Sequence, residues 1–188
     1  ADRGKPFGLA PETGNVVAGL NCNSNELAAA IGLIQLRKLP NIVAKRRAIG
    51  EALRKQLAGG PIVTVGWQLP NTEGSYWFMR LHFNAKKSKV DKAAFCKALQ
   101  AEGIPLETDY EAIPAVRPWF TKQMIFGAGG FPWNCSDYKG PRKPVCEITN
   151  ARQAIAEHFK IYIHERLSAK EVNGIVAAIK KIEKAYAK

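Results

Sequence analysis

The stretch Gly19-Leu20-Asn21-Cys22-Asn23-Ser24-Asn25-Glu26-Leu27-Ala28-Ala29-Ala30-Ile31-Gly32-Leu33-Ile34-Gln35-Leu36-Arg37-Lys38-Leu39 marks the change from punctuated polar chain to helix. Leu27, Ile31, Ile34 and Leu36 repeat at helical spacing, and the small Ala28, Ala29, Ala30 and Gly32 between them let a neighbouring backbone approach closely. Asn23 as N-cap, with Glu26 three residues on, fits a capping box in which Asn replaces Ser or Thr. Such a cap satisfies orphan amides and is worth about 1 kcal/mol. An exposed helix start carrying several asparagines also suits an anion such as phosphate. By spacing alone, capping is the plainer reading.

Upstream, Gly4, Pro6, Gly8, Pro11, Gly14 and Gly19 break residues 1–20 too often for a helix or long strand. The segment reads as an irregular lead-in lying on something else. Downstream, Pro40-Asn41 predicts an interruption or kink. The helical pattern resumes through Ile42, Ile49, Leu53 and Leu57, and Gly59-Gly60 ends it.

Beyond that point the period changes. Ile62–Val65 and Ser75–Phe83 read as strands. Ser88 is a candidate cap for a helix carrying Val90, Phe95 and Leu99, stopped by Gly103. Residues 104–108 read as a short edge strand, where Pro105 is tolerable. Residues 110–145 form a long loop region whose aromatics predict order and whose length points to function. A helix over 147–158, a strand over 160–164 and an amphipathic helix over 168–186 follow. The last is opened by a Ser168-x-x-Glu171 capping box and presents Val172, Ile175, Val176, Ile179, Ile182 and Ala185 on its apolar face. The order predicts an α+β arrangement, a small sheet with helices on one face.

The chain has 188 residues, 46% of them hydrophobic, which bounds it to one globular domain or a domain with an appendage. No apolar run reaches the roughly 20 residues of a membrane span, and no leader opens the chain. Cys22, Cys96, Cys135 and Cys146 are irregularly spaced, and His82, His158 and His164 do not stand at zinc-ligand offsets from them. The expectation is free thiols in a reducing cytoplasm and no metal site, with a zinc site or a disulfide framework as the lesser alternative. The net charge of +12 invites anions, nucleic acid or a membrane surface, but also fits solvated helix faces in a piece of a larger, more acidic protein. Gly127-Ala128-Gly129-Gly130 lacks the Gly-Lys-Ser/Thr ending of a phosphate loop.

The string from Gly19 to Leu39, followed by Lys45-Arg46-Arg47, resembles the DegT/DnrJ/StrS sugar aminotransferases, whose pattern is Gly-x-Asn-x-Arg-Met-x-Glu-Leu-x-Ala-Ala-Ile-Gly-x-x-Gln-Leu-x-Lys-Leu and then a basic stretch. Ala98-Leu99-Gln100-Ala101-Glu102-Gly103-Ile104, Asn150-Ala151, Ile161-Tyr162-Ile163-His164 and Val172–Tyr186 are similar to later parts of that family. The resemblance implies the C-terminal half of a type I pyridoxal-phosphate-dependent transferase. Its parts would be a lead-in over 1–20 from a missing large domain, a long kinked linking helix over 21–58, and a small α+β domain over 59–188 with a mostly antiparallel sheet.

By position, the resemblance makes Asn21 and Asn23 candidate contacts to the cofactor phosphate, serving the neighbouring subunit of a homodimer. Tyr110, in Asp109-Tyr110 where relatives have His-Tyr, and Arg117 are its candidate substrate residues. Arg117 would pair with a carboxylate or phosphate, although a surface arginine beside a packed Trp-Phe cluster is an equal reading. Trp133 reads as loop core before sugar platform, and His164-Glu165 as structural. The implied activity moves an amino group from glutamate or glutamine to a keto-sugar, nucleotide-sugar or cyclitol ketone. The family's catalytic lysine, which forms a Schiff base with the cofactor, belongs to a segment not found here, so this chain is expected to be inert alone, with no catalytic residue of its own. The alternatives are a non-catalytic dimerisation or regulatory module and, behind it, a basic nucleic-acid-binding protein, for which no aromatic-basic or helix-turn-helix signature is present.

Overall fold

The computed structural model describes residues 24–109, 112–125 and 129–188. Helix α1 spans Glu26–Gln56 and continues through Pro40. Its N-cap is Asn25, whose Oδ1 accepts from the Ala28 N–H at 2.8 Å, so the cap falls two residues later than the capping-box spacing of Asn23 and Glu26 predicts. Gly59, at φ 74°, takes the left-handed conformation that ends the segment.

The sheet is four-stranded and antiparallel, in the order β1-β2-β4-β3. Its strands are β1 (Val63–Val65), β2 (Phe78–Phe83), β3 (Leu106–Glu107) and β4 (His158–Tyr162). β2 begins three residues later than the run from Ser75 predicts, because Tyr76 sits at φ 47°, outside the strand region. The Tyr76 ring lies against Gly50 of α1, where an added Cβ would meet ring carbons at 2.9 Å. β3 is the predicted edge strand.

Helix α2 (Lys92–Ala101) is capped by Asp91, whose side chain accepts from the Ala94 N–H, and not by Ser88. The Ser88 hydroxyl instead accepts from the Val90 N–H and donates to the Val90 carbonyl. Helix α3 is the single turn Pro118–Thr121, and α4 is Thr149–Ala156. Helix α5 (Ala169–Tyr186) opens with the predicted Ser168–Glu171 capping box. Its buried face is Val172, Val176, Ala178, Ile179, Ile182 and Glu183, whereas Ala185 is exposed. Glu183 is buried because its Oε1 accepts from the backbone N–H groups of Ile62 and Val63, at 3.0 and 2.7 Å, pinning α5 to the start of β1.

One hydrophobic core joins the end of α1 (Ile49, Leu53), Leu57, the inward face of the sheet (Val63, Met79, Leu81, Phe83, Leu106, Phe159, Ile161), α2 (Phe95, Cys96, Leu99) and α5 (Val172, Val176, Ile179). Phe95 is central, with ring centroids 5.2 Å from Phe83 and 6.3 Å from Phe159. The fold class is therefore the expected one, a long helix followed by a small antiparallel sheet covered by helices. By compactness the chain divides into Ala1–Ala28 with Ala112–Arg152, and Ala29–Glu111 with Gln153–Lys188.

The two halves of α1 differ. The C-terminal half is tied down: Arg46 bridges to Glu165 at 2.9 Å, and Arg47 Nε and Arg54 Nη1 donate to the carbonyls of Gly74 and Gly66. In the N-terminal half Leu27, Ile31, Leu33, Ile34, Leu36 and Leu39 are 45–72% exposed. No uninterrupted apolar run marks this helix in the sequence. Even so, by length and composition alone it is apolar enough to cross a membrane. Helices buried inside larger soluble proteins share that property.

Candidate functional site

The chain leaves the sheet after Glu107 and returns to it at His158. Both exits meet at Lys92, the first residue of α2. Its Nζ donates to the carbonyls of Thr108 (2.9 Å), Ile155 (2.8 Å) and His158 (3.1 Å) and to Asp109 Oδ1 (2.9 Å). The ammonium has only three protons, so these contacts share donors in a crowded shell. The side chain is 15% exposed and the ion pair holds the Asp109 carboxyl below the usual carboxylate range.

Within the long excursion the aromatic residues are packed. Phe120 stands edge-to-face between Trp119 and Trp133, at 5.8 and 5.7 Å, and Trp133 is buried, which makes it loop core. Arg142 Nη1 donates to the Trp133 carbonyl at 2.8 Å. Arg117 ends the short turn Pro114–Val116 and caps α3, with its carbonyl accepting from Phe120, Thr121 and the Thr121 hydroxyl. Its side chain is half-buried.

The sheet face turned away from the core is polar and aromatic. Phe78 pairs with Tyr162, Arg80 with Lys160 and His82 with His158 across β2–β4, and Glu107 pairs with Lys160 across β3–β4. Lys160 Nζ bridges to Glu107 at 2.7 Å and lies over the Phe78 and Tyr162 rings at 5.2 and 5.1 Å. The Tyr162 hydroxyl donates to the same Glu107. Burial works to lower the Lys160 pKa, but its hydrogen bonds to Glu107 and Tyr162 prevail and hold it above the ordinary lysine value.

Asn21, Asn23 and Tyr110 lie outside the described residues, so of the sequence-predicted site residues Arg117 alone is placed, and none is brought against another. Glu165 of the His164-Glu165 pair is occupied by Arg46, as a structural residue would be. Cys96, Cys135 and Cys146 are free thiols, and no metal-binding group exists among the described residues. Lys92 and Lys160 escape sequence reasoning. The only signal for Lys160 is the alternation His158-Lys160-Tyr162 opposite Phe78-Arg80-His82.

Neither of two clefts among the described residues suits pyridoxal phosphate. An open cleft of about 420 Å³ at the carbonyl end of α1, lined by Lys180, Glu183 and Lys184, presents the wrong end of a helix to a phosphate. A second, of about 550 Å³ between the α2 turn and α5, is lined mainly by Ile104, Pro105, Leu167, Ile175 and alanines. A lysine that attacks a carbonyl needs a neutral amine; Lys160 is held above the ordinary lysine value beside Glu107, and Lys92 Nζ is occupied by Asp109 and three carbonyls.

The fold is an α+β arrangement, a long helix and a small antiparallel sheet covered by helices. A model of the DegT/DnrJ/EryC1/StrS aminotransferase family matches residues 5–180, and the chain belongs to that family. It is 36% identical over 75 residues, 40% of this chain and 20% of the other, to dTDP-4-amino-4,6-dideoxy-D-glucose transaminase of Escherichia coli. Among solved structures it superposes on the aminotransferase TlmJ from Streptoalloteichus hindustanus (TM-score 0.62, 23% identity, covering 91% of this chain and 40% of that one). It also superposes on the PLP form of sugar aminotransferase Spr1654 from Streptococcus pneumoniae (TM-score 0.63, 19% identity, 90% and 38%). The chain thus spans about two fifths of the length of these solved relatives. Pyridoxal phosphate is the family's cofactor.

Proposed function

We propose that this chain is the C-terminal part of a pyridoxal-phosphate-dependent aminotransferase that moves an amino group from glutamate or glutamine to a keto-sugar, nucleotide-sugar or cyclitol ketone. The observation that carries this reading is the exposed half of α1 in a chain matched by the family over residues 5–180. Monomeric soluble proteins rarely leave such a contiguous apolar surface bare. In relatives more than twice as long, a large domain preceding this region is the natural cover. On this reading the lead-in, the linking helix and the small domain divide near residues 20 and 58. Pyridoxal phosphate and the lysine that carries it belong to that large domain. Asn21 and Asn23 reach a cofactor phosphate across a cytoplasmic homodimer, and Tyr110 and Arg117 meet the sugar. The chain by itself is inert.

The test is to express the intact gene product and supply dTDP-4-amino-4,6-dideoxy-D-glucose with 2-oxoglutarate. Formation of glutamate supports the reading; its absence with this and a panel of amino-sugar nucleotides and aminocyclitols counts against it. A second reading, a non-catalytic module that dimerises with a full-length enzyme, draws on the same exposed helix. It predicts a native product of 188 residues that binds such an enzyme without adding activity.

A further inference from the structure

We propose that Lys92 is the positioning residue of the substrate excursion: one ammonium fastens the point where the chain leaves the sheet to the point where it returns. Thr108 and Asp109 follow β3 directly, while Ile155 lies in the last turn of α4 and His158 begins β4. The acceptors lie 16, 17, 63 and 66 residues from Lys92 in sequence, yet all are within 3.1 Å of its Nζ. Closing a loop of this length has an entropic cost that grows only slowly with length, so one well-satisfied clasp holds both ends. The clasp is separate from the excursion's own packing, the Trp119–Phe120–Trp133 stack. Thr108 and Asp109 stand where the chain leaves the sheet, so the clasp fixes the start of the excursion.

Charge is integral to the clasp. Three carbonyl oxygens and one carboxylate oxygen face the ammonium. A methionine of similar length would leave them without a donor. The contact with Asp109 is the one made through a side chain, so Asp109→Asn weakens the clasp without removing it.

The inference rests on the aminotransferase reading for its catalytic consequence and on the geometry for its local one, and the experiment separates the two. In the intact gene product Lys92→Met is compared with wild type and with Lys181→Ala, which removes the exposed Lys181–Glu102 pair of 2.8 Å. Hydrogen exchange should quicken about tenfold or more over 108–115 and 153–158 in Lys92→Met, while the amides of α5 and of the Lys181→Ala control keep their rates. With dTDP-4-amino-4,6-dideoxy-D-glucose as the amino-sugar probe and 2-oxoglutarate as acceptor, KM for the amino sugar should rise about tenfold, with kcat and the KM for 2-oxoglutarate within about twofold, since misplacing a substrate-positioning group costs binding and orientation. Asp109→Asn should fall between the two. Unchanged exchange at both ends of the excursion overturns the clasp. A uniform rise in exchange across α5 and the sheet, or a loss of kcat with KM unmoved, also overturns it and assigns Lys92 to overall stability. If wild type turns over no amino sugar, the aminotransferase reading falls, and the exchange pattern alone decides the clasp.

Discussion

Lys160 Nζ and Glu107 Oε2 are 2.7 Å apart across the β3–β4 pair, and Lys160 is only 5% exposed although it stands on the face of the sheet turned away from the core. A buried ammonium that loses its carboxylate is left with a desolvation cost, whereas an apolar replacement removes cost and partner together. Glu107→Gln should therefore destabilise the fold by about 1–3 kcal/mol, and Lys160→Met should be near neutral by comparison. Denaturant unfolding of the two variants checks the order; a larger loss for Lys160→Met would contradict it.

The same pair sets a pH dependence. Hydrogen bonds from Lys160, then Tyr162, hold Glu107 below the usual carboxylate value. A depressed folded pKa adds stability that is full above the unfolded value and is lost as pH falls through the folded one. Lys160 is held above the ordinary lysine value, so its contribution is full below that value and is lost as pH rises through the folded one. Stability measured across pH should fall at both extremes, and Glu107→Gln should flatten the acid limb.

Cys96 is fully buried and its thiol is pushed up to about 11, chiefly by burial. The thiolate is the reactive form, so under native conditions a thiol reagent should modify the exposed Cys146 before Cys96, which it reaches only on unfolding. Peptide mapping after brief and prolonged labelling reads this directly.

The exposed half of α1 should make the isolated chain self-associate. Replacing Ile31, Ile34 and Leu36 together by glutamate should shift sedimentation toward monomer with little loss in thermal midpoint, because all three are 45% or more exposed. Association that survives the triple variant would place the contact elsewhere, and flotation of the wild-type chain with lipid vesicles would favour a membrane instead.

Local chemistry made much of the fold legible. The Ser168–Glu171 box and the Gly59 and Gly103 stops each require only near neighbours, and each stands as expected. Caps were less secure where several polar residues compete: Asn25 and Asp91 hold the helix starts, two and three residues after Asn23 and Ser88. The clasp was not legible at all. Lys92 reads as a solvated lysine until strands and helices bring acceptors from as far as 66 residues away to it. Of the candidate site, Arg117 is placed as a cap beside Trp119 and Phe120, while Asn21, Asn23 and Tyr110 remain expectations drawn from family resemblance.

The central claim is that the cofactor lysine lies outside these 188 residues. It is tested by adding pyridoxal phosphate to this chain and to the intact gene product and recording the visible absorption of each. The account predicts a saturable protein-bound band in the intact protein alone, abolished by changing one lysine outside this chain. A stoichiometric band in the isolated chain, abolished by replacing one of its own lysines, would contradict it.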